Sequence, residues 1–198
     1  MKGRARLAAE ARRSQLLELG IEHFSERSYE DFSMEELATV AGVSKGLVFH
    51  YFPSKRDFYM EALRAAVAQM LDLVVTAPAD LPPERALRVA LDAYLGYVEE
   101  RAPAYRAVLR GGIGADPEVQ AIADGFRDAV YERIVALGEW GEPPPAVRTA
   151  LRGWIGYVEA ASLEWIEHRE LTRAELVEQL ANALPVIVGA ASRAVNLL

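Results

Sequence analysis

The chain has 198 residues, 52% of them hydrophobic and 26% charged, no cysteine, and a formal net charge of −7. This length can bury a sizeable core in one or two domains, while the missing cysteines exclude disulfide frameworks, thiolate zinc sites and cysteine nucleophiles and suit a reducing compartment. The acidity argues against a generic nucleic-acid binder, yet residues 1–56 hold nine basic and eight acidic residues, leaving −8 for the remainder, as expected of a DNA-facing head on an acidic body.

Alanine, leucine, glutamate and arginine dominate and strand-like alternation is absent, so an all-α chain of about nine helices is predicted. The basic start is broken by Glu10, Arg12 and Arg13 before any apolar stretch. The longest uncharged run, Gln179 to Ser192, contains Pro185 and is too short to span a bilayer, so no membrane association and a cytoplasmic location are expected.

Ala8 to Glu26 reads as an amphipathic helix with Leu16, Leu17, Leu19, Ile21 and Phe24 on its apolar face. After a turn at Ser28 to Asp31, Ser33 and Glu36 have capping-box spacing and open a short helix that Gly42 ends. Ser44 caps a second short helix to Tyr51, and Ser54 a longer one to Thr76. Three prolines between Ala77 and Pro83 mark a loop. Helical patterns follow at Glu84 to Arg101 and Pro103 to Leu109. Gly111, Gly112 and Gly114 then make a break before Pro117 to Leu137. Gly138 to Pro145 is a loop, and Ala146 to His168 and Arg173 to Val195 close the chain, the last with a kink expected at Pro185.

Ser33 to Tyr51 has the layout of a helix-turn-helix. Two short helices flank a tight turn at Gly42 and Val43, Ala38 is small where they approach, and Leu37, Val43 and Val48 are apolar where they pack. The second helix offers Lys45, Gly46, His50 and Tyr51 at the positions where a recognition helix meets base edges and phosphates. The spacing alone also fits an ordinary helical hairpin with a glycine turn.

The run from Gly42 to Lys55, with Ser33 to Ala38 before it and Gly20 to Phe24 on the first helix, closely resembles the TetR family of bacterial repressors over roughly residues 8–63, about a third of the chain. That resemblance implies an N-terminal three-helix DNA-binding domain at 1–55 and a helical effector-binding and dimerisation domain at 56–198. It also implies three partners: a palindromic double-stranded DNA operator, a small-molecule effector that releases the repressor, and a second copy of the chain. By matching position, Ser33 faces a phosphate, and Ser44, Lys45 and Gly46 enter the major groove. Tyr51 and Lys55 form a phosphate pair, and His50 touches base or phosphate. The family commonly has threonine where Leu47 stands and tyrosine where Phe49 stands, so two phosphate-binding hydroxyls are missing. Lys2, Arg4 and Arg6 read equally well as a minor-groove arm or a free tail.

In the body, Leu151, Ile155, Val158, Ser162, Trp165 and Ile166 form one stripe and Leu176, Leu180, Ala183 and Leu184 another. Both are assigned to a dimeric four-helix bundle of the last two helices, with packing inside one protomer as the alternative. Among the aromatics, Tyr97, Phe126, Trp154 and Tyr157 are candidates for a pocket suited to a lipophilic or aromatic effector.

No enzyme, cofactor or metal site is expected. The residues three before His23, His50 and His168 are Gly20, Leu47 and Trp165, so the Glu-x-x-His pairs of helical-bundle metal carboxylate proteins are missing. Neither a nucleophile elbow nor a phosphate-cradling glycine loop occurs. A helical protein-interaction domain that has lost DNA binding remains as an alternative reading.

Overall fold

In the computed structural model the backbone is described at residues 2–26, 29–75, 81–110, 115–138 and 141–195, with side chains throughout these ranges except at 2–8, 25, 26, 194 and 195. Among the described residues there are nine helices and no strand: α1 Lys2–Glu26, α2 Met34–Val40, α3 Lys45–Tyr51, α4 Lys55–Val75, α5 Pro83–Glu100, α6 Ala102–Arg110, α7 Pro117–Leu137, α8 Pro145–His168 and α9 Arg173–Val195. The all-α expectation holds. Helix α1 begins earlier than the sequence suggested, so the backbone of the expected arm at Lys2, Arg4 and Arg6 is helical, while its side chains lie outside the described residues. The expected break at Gly111, Gly112 and Gly114 also lies outside them. Helix α9 runs through Pro185 as one element.

The chain divides into two compact units. One, the head, runs to Ala68 and takes up Arg101–Ile122; the other, the body, comprises Gln69–Glu100 and Ala123–Leu198. This partition departs from the boundary expected after residue 55. The reason is packing: α4 supplies Phe58, Tyr59, Met60 and Ala62 to the core of the head, and α7 supplies Val119.

Rings dominate that core. Phe58 stacks on Phe32 at 5.1 Å and meets Phe52 edge-on at 4.9 Å, while Phe24 lies 4.7 Å from Phe32 and 4.9 Å from Tyr59. Each buried ring contributes roughly 1.5–3 kcal/mol through apolar burial. Gly20 is required where α1 meets α4, because a Cβ there would sit 2.4 Å from Cζ of Phe58. Arg56 fastens α4 to the start of α7 with a two-pronged grip on Asp116 (3.0 and 2.9 Å) and a bond to Glu118 at 2.8 Å. The Asp116 carboxyl is held below its ordinary pKa, first by the backbone N–H of Glu118 and then by Arg56.

In the body, α8 packs on α9 and α5 packs on both. Leu95, Val98, Leu151 and Leu180 are fully buried. The indole N–H of Trp154 donates to the Leu180 carbonyl at 3.0 Å and that of Trp165 to the Leu171 carbonyl at 2.8 Å. Both large rings are thus buried without an unmet donor. Arg173 bonds Asp92 and Arg88 bonds Glu178, each at 2.9 Å, tying α9 to α5.

The stripes assigned to the dimer face lie inside the protomer instead. Leu151, Ile155, Val158, Ser162, Trp165 and Ile166 are all buried within the single chain, as are Leu176 and Leu180, while Ala183 and Leu184 are half-buried. Periodicity located an apolar face on each helix, and the two faces cover one another inside the protomer. The side of α8 left exposed carries Gly153, Gly156 and Ala160 instead.

Candidate nucleic-acid interface and effector cavity

The helix-turn-helix forms as its residues dictate. The Ser33 hydroxyl accepts from the backbone N–H groups of Glu35 (3.2 Å) and Glu36 (3.4 Å), capping α2. Gly42 sits at φ +64°, a conformation only glycine adopts freely, and Val43 N–H donates to the Ala38 carbonyl at 3.0 Å to close the turn. Ser44 Oγ accepts from Leu47 N–H at 3.2 Å and caps α3. Val48, fully buried, anchors α3 against Leu37 and Ala38 of α2. That anchoring turns Lys45, Gly46, Phe49 and His50 outward.

Ser44, Lys45, Gly46 and His50 are exposed on α3 or its cap, and Ser33, Tyr51 and Lys55 are half-buried at the edges of the same unit. A Cβ on Gly46 would meet nothing nearer than Ser44 Oγ at 4.0 Å, so the packing of the head does not demand glycine there. His50 rests edge-on against Tyr51, with ring centres 5.5 Å apart.

The two lysines are already engaged. Lys45 is hydrogen-bonded to the Glu35 carboxylate across the turn and lies over the Phe49 ring. This bond, and then the lysine's charge, hold the Glu35 carboxyl below its ordinary pKa. Lys55 Nζ donates to the Glu30 carbonyl at 3.0 Å and sits 4.7 Å from the centre of the Tyr29 ring. The first helical residue of α4 is thereby tied to the turn before α2. A cation at a helix start opposes the dipole, and these partners offset that cost. Sequence reasoning missed Glu35 as the partner of Lys45, since residues ten apart on two short helices share no periodicity.

The body holds a partly open, apolar cavity. Phe126 and Trp154 line it; Tyr97 and Tyr157 do not. The Tyr157 hydroxyl instead accepts from the Gln179 amide at 2.7 Å. The cavity is lined as well by Val74 at the end of α4, Tyr94 of α5, Arg133 of α7 and Glu159 of α8. Arg133 was legible in principle: it falls on the α7 stripe of Phe126, Val130 and Leu137, where an arginine interrupts an otherwise apolar face. A second, more open groove lies between α5, the end of α7 and α9, beside Pro185.

Among the described residues no helix is long and apolar enough to cross a membrane, and no group of three metal-ligating side chains comes together.

Known proteins share this architecture. The model of the bacterial regulatory proteins, tetR family, matches residues 16–62, and that of the tetracyclin repressor-like C-terminal domain matches residues 83–186. The HTH-type transcriptional activator FasR of Mycolicibacterium smegmatis is 31% identical over 134 residues, which span 65% of this chain and 61% of that regulator. The crystal structure of a tetR-family transcriptional regulator from Streptomyces coelicolor superposes with a TM-score of 0.87 at 32% identity, covering 93% of this chain and 83% of that one. FadR of Bacillus subtilis, solved in complex with stearoyl-CoA, shares the fold at a TM-score of 0.70 and 13% identity, over 86% of this chain and 96% of its own. Family models over both regions, joined by the helix-turn-helix and a cavity in the body, lead to one conclusion: the chain belongs to the TetR family of ligand-responsive, DNA-binding transcriptional regulators.

Proposed function

We propose that the chain is a cytoplasmic repressor that binds a palindromic operator as a homodimer and leaves it when a small lipophilic or aromatic effector enters the cavity. The observation that carries this reading is the exposed face of α3, where Lys45, Gly46 and His50 project from a helix anchored by buried Val48. In this reading Lys45 exchanges Glu35 for guanine O6/N7 or a phosphate. Open space at Gly46 lets the DNA backbone come close, while Ser33, Ser44, Tyr51 and Lys55 hold phosphates. Residues 1–55 carry the DNA contacts and 56–198 the effector and dimer functions. Homodimerisation follows the family. The exposed small residues Gly153, Gly156 and Ala160 of α8 allow close approach by a second copy.

Helix α4 supports the coupling. Its first turns bring Phe58 into the head core, and Val74 near its other end lines the cavity. A ligand that moves Val74 acts on the helix whose first turns belong to the head. Such a ligand acts only through its differential affinity for the two states, so effector and operator weaken each other by the same factor, roughly 5- to 150-fold for 1–3 kcal/mol of coupling.

A gel shift with the DNA upstream of the chain's own gene tests this. A discrete, salt-sensitive complex that an effector dissolves is expected. If no upstream or palindromic DNA were retained, the head would instead serve another partner; a complex that raises transcription would make the protein an activator.

A further inference from the structure

Among the described residues the cavity wall holds one arginine nitrogen that is buried and unpartnered. Arg133 lines an otherwise apolar space, and its Nε is buried with no hydrogen-bond partner. The other charged group on the wall is satisfied: Arg127 Nε donates to both Glu159 oxygens, at 2.9 and 3.1 Å. No ion pair reaches Arg133 among the described residues, whereas Arg127 of α7 and Arg152 of α8 each hold an acid. A buried donor without a partner is costly. A lysine relieves that cost by losing its proton, but a guanidinium stays charged and its N–H fork suits a carboxylate.

We infer that the effector is a carboxylic acid with an apolar tail, its carboxylate held by Arg133 and its tail lying among the rings and aliphatic side chains around Phe126 and Trp154. A monoanion balances the guanidinium of Arg133. A phosphate dianion would leave excess negative charge beside Glu159. The inference rests on reading the cavity as the effector site, and it narrows the chemistry of what enters.

Calorimetric titration of the full chain at pH 8 with decanoate, decan-1-ol and decyl phosphate tests it. Decanoate should bind more tightly than decanol by roughly ten- to a hundredfold, the worth of a hydrogen bond to a charged group, and more tightly than decyl phosphate. Arg133→Met should abolish the preference for acid over alcohol and leave decanol affinity in place. Arg133→Lys should keep much of it, with circular-dichroism melting to verify that both variants fold. Equal binding of acid and alcohol, or a preference that survives Arg133→Met, overturns the role of Arg133 while the cavity stands. Tighter binding of decyl phosphate overturns the carboxylate. Failure of all three probes to bind overturns the cavity as a site for such tails, and the inference with it.

Discussion

The head and the body solve the same packing problem with different materials. The core of the head is a nest of rings around Phe58, closed so tightly that Gly20 has no room for a methyl group. The core of the body is mostly leucine, valine and isoleucine, pinned by two indole N–H bonds to backbone carbonyls, and it leaves a cavity between α5, α7 and α8. A unit that recognises a fixed DNA shape gains from interlocked rings, which resist repacking. A unit that admits an effector needs space and side chains able to shift. Rigidity and hollowness are thus allotted to separate cores, and α4 and α7 each contribute to both.

Truncating a ring should break this contrast most severely. Phe58→Ala is expected to cost about 3–5 kcal/mol and to abolish operator binding, whereas Leu95→Ala in the body should cost about 2–5 kcal/mol by cavity formation. Calorimetry can separate them, because the first substitution should lower the unfolding of the head and the second that of the body. Gly20→Ala probes closeness directly: it should destabilise the head by about 1–3 kcal/mol through overpacking, and a neutral effect in urea titration would mean that Phe58 yields easily.

Tyr59 offers a chemical probe of the same core. Burial, then the negative charge of Glu30, pushes its phenol up to about 12. The folded state therefore holds the proton that an unfolded chain would release near pH 10. Stability from this source is complete below pH 10 and declines as pH rises towards about 12, by on the order of 2 kcal/mol across the window. Tyr59→Phe should flatten that alkaline decline in urea titrations run at successive pH values.

The contrast sharpens at the surface, where effects are smaller and concern recognition. Lys45→Ala should relax preference at one base pair per half-site by about 1–3 kcal/mol; a uniform loss across all sequences in competition gel shifts would make Lys45 a phosphate contact. Lys55→Ala should flatten the slope of log affinity against log salt by about one unit. Because Lys55 also holds the Glu30 carbonyl and the Tyr29 ring, a small fall in melting temperature should accompany it. An unchanged slope would leave Lys55 with only that structural part.

Local chemistry made much of this molecule readable in advance. Ser33 and Ser44 cap their helices because a hydroxyl before a helix satisfies orphan N–H groups wherever it occurs. Gly42 takes a left-handed turn because glycine alone does so without penalty. With Leu37, Ala38 and Val48 these residues define the helix-turn-helix, and their order along the chain carries the family resemblance. What covers a face was not readable. The stripes of α8 and α9 fitted a partner copy as well as each other, and burial of Leu151 and Leu180 inside one chain decided for the latter. Phe126 and Trp154 reached the cavity while Tyr97 and Tyr157 did not, since composition says which rings exist and not which way their helices turn. The Glu35–Lys45 bond, the place of α6 and Val119 in the head, and the place of Arg133 on the cavity wall were likewise decided by tertiary structure. Each depends on segments remote in sequence meeting in space, which capping, periodicity and turn chemistry do not encode.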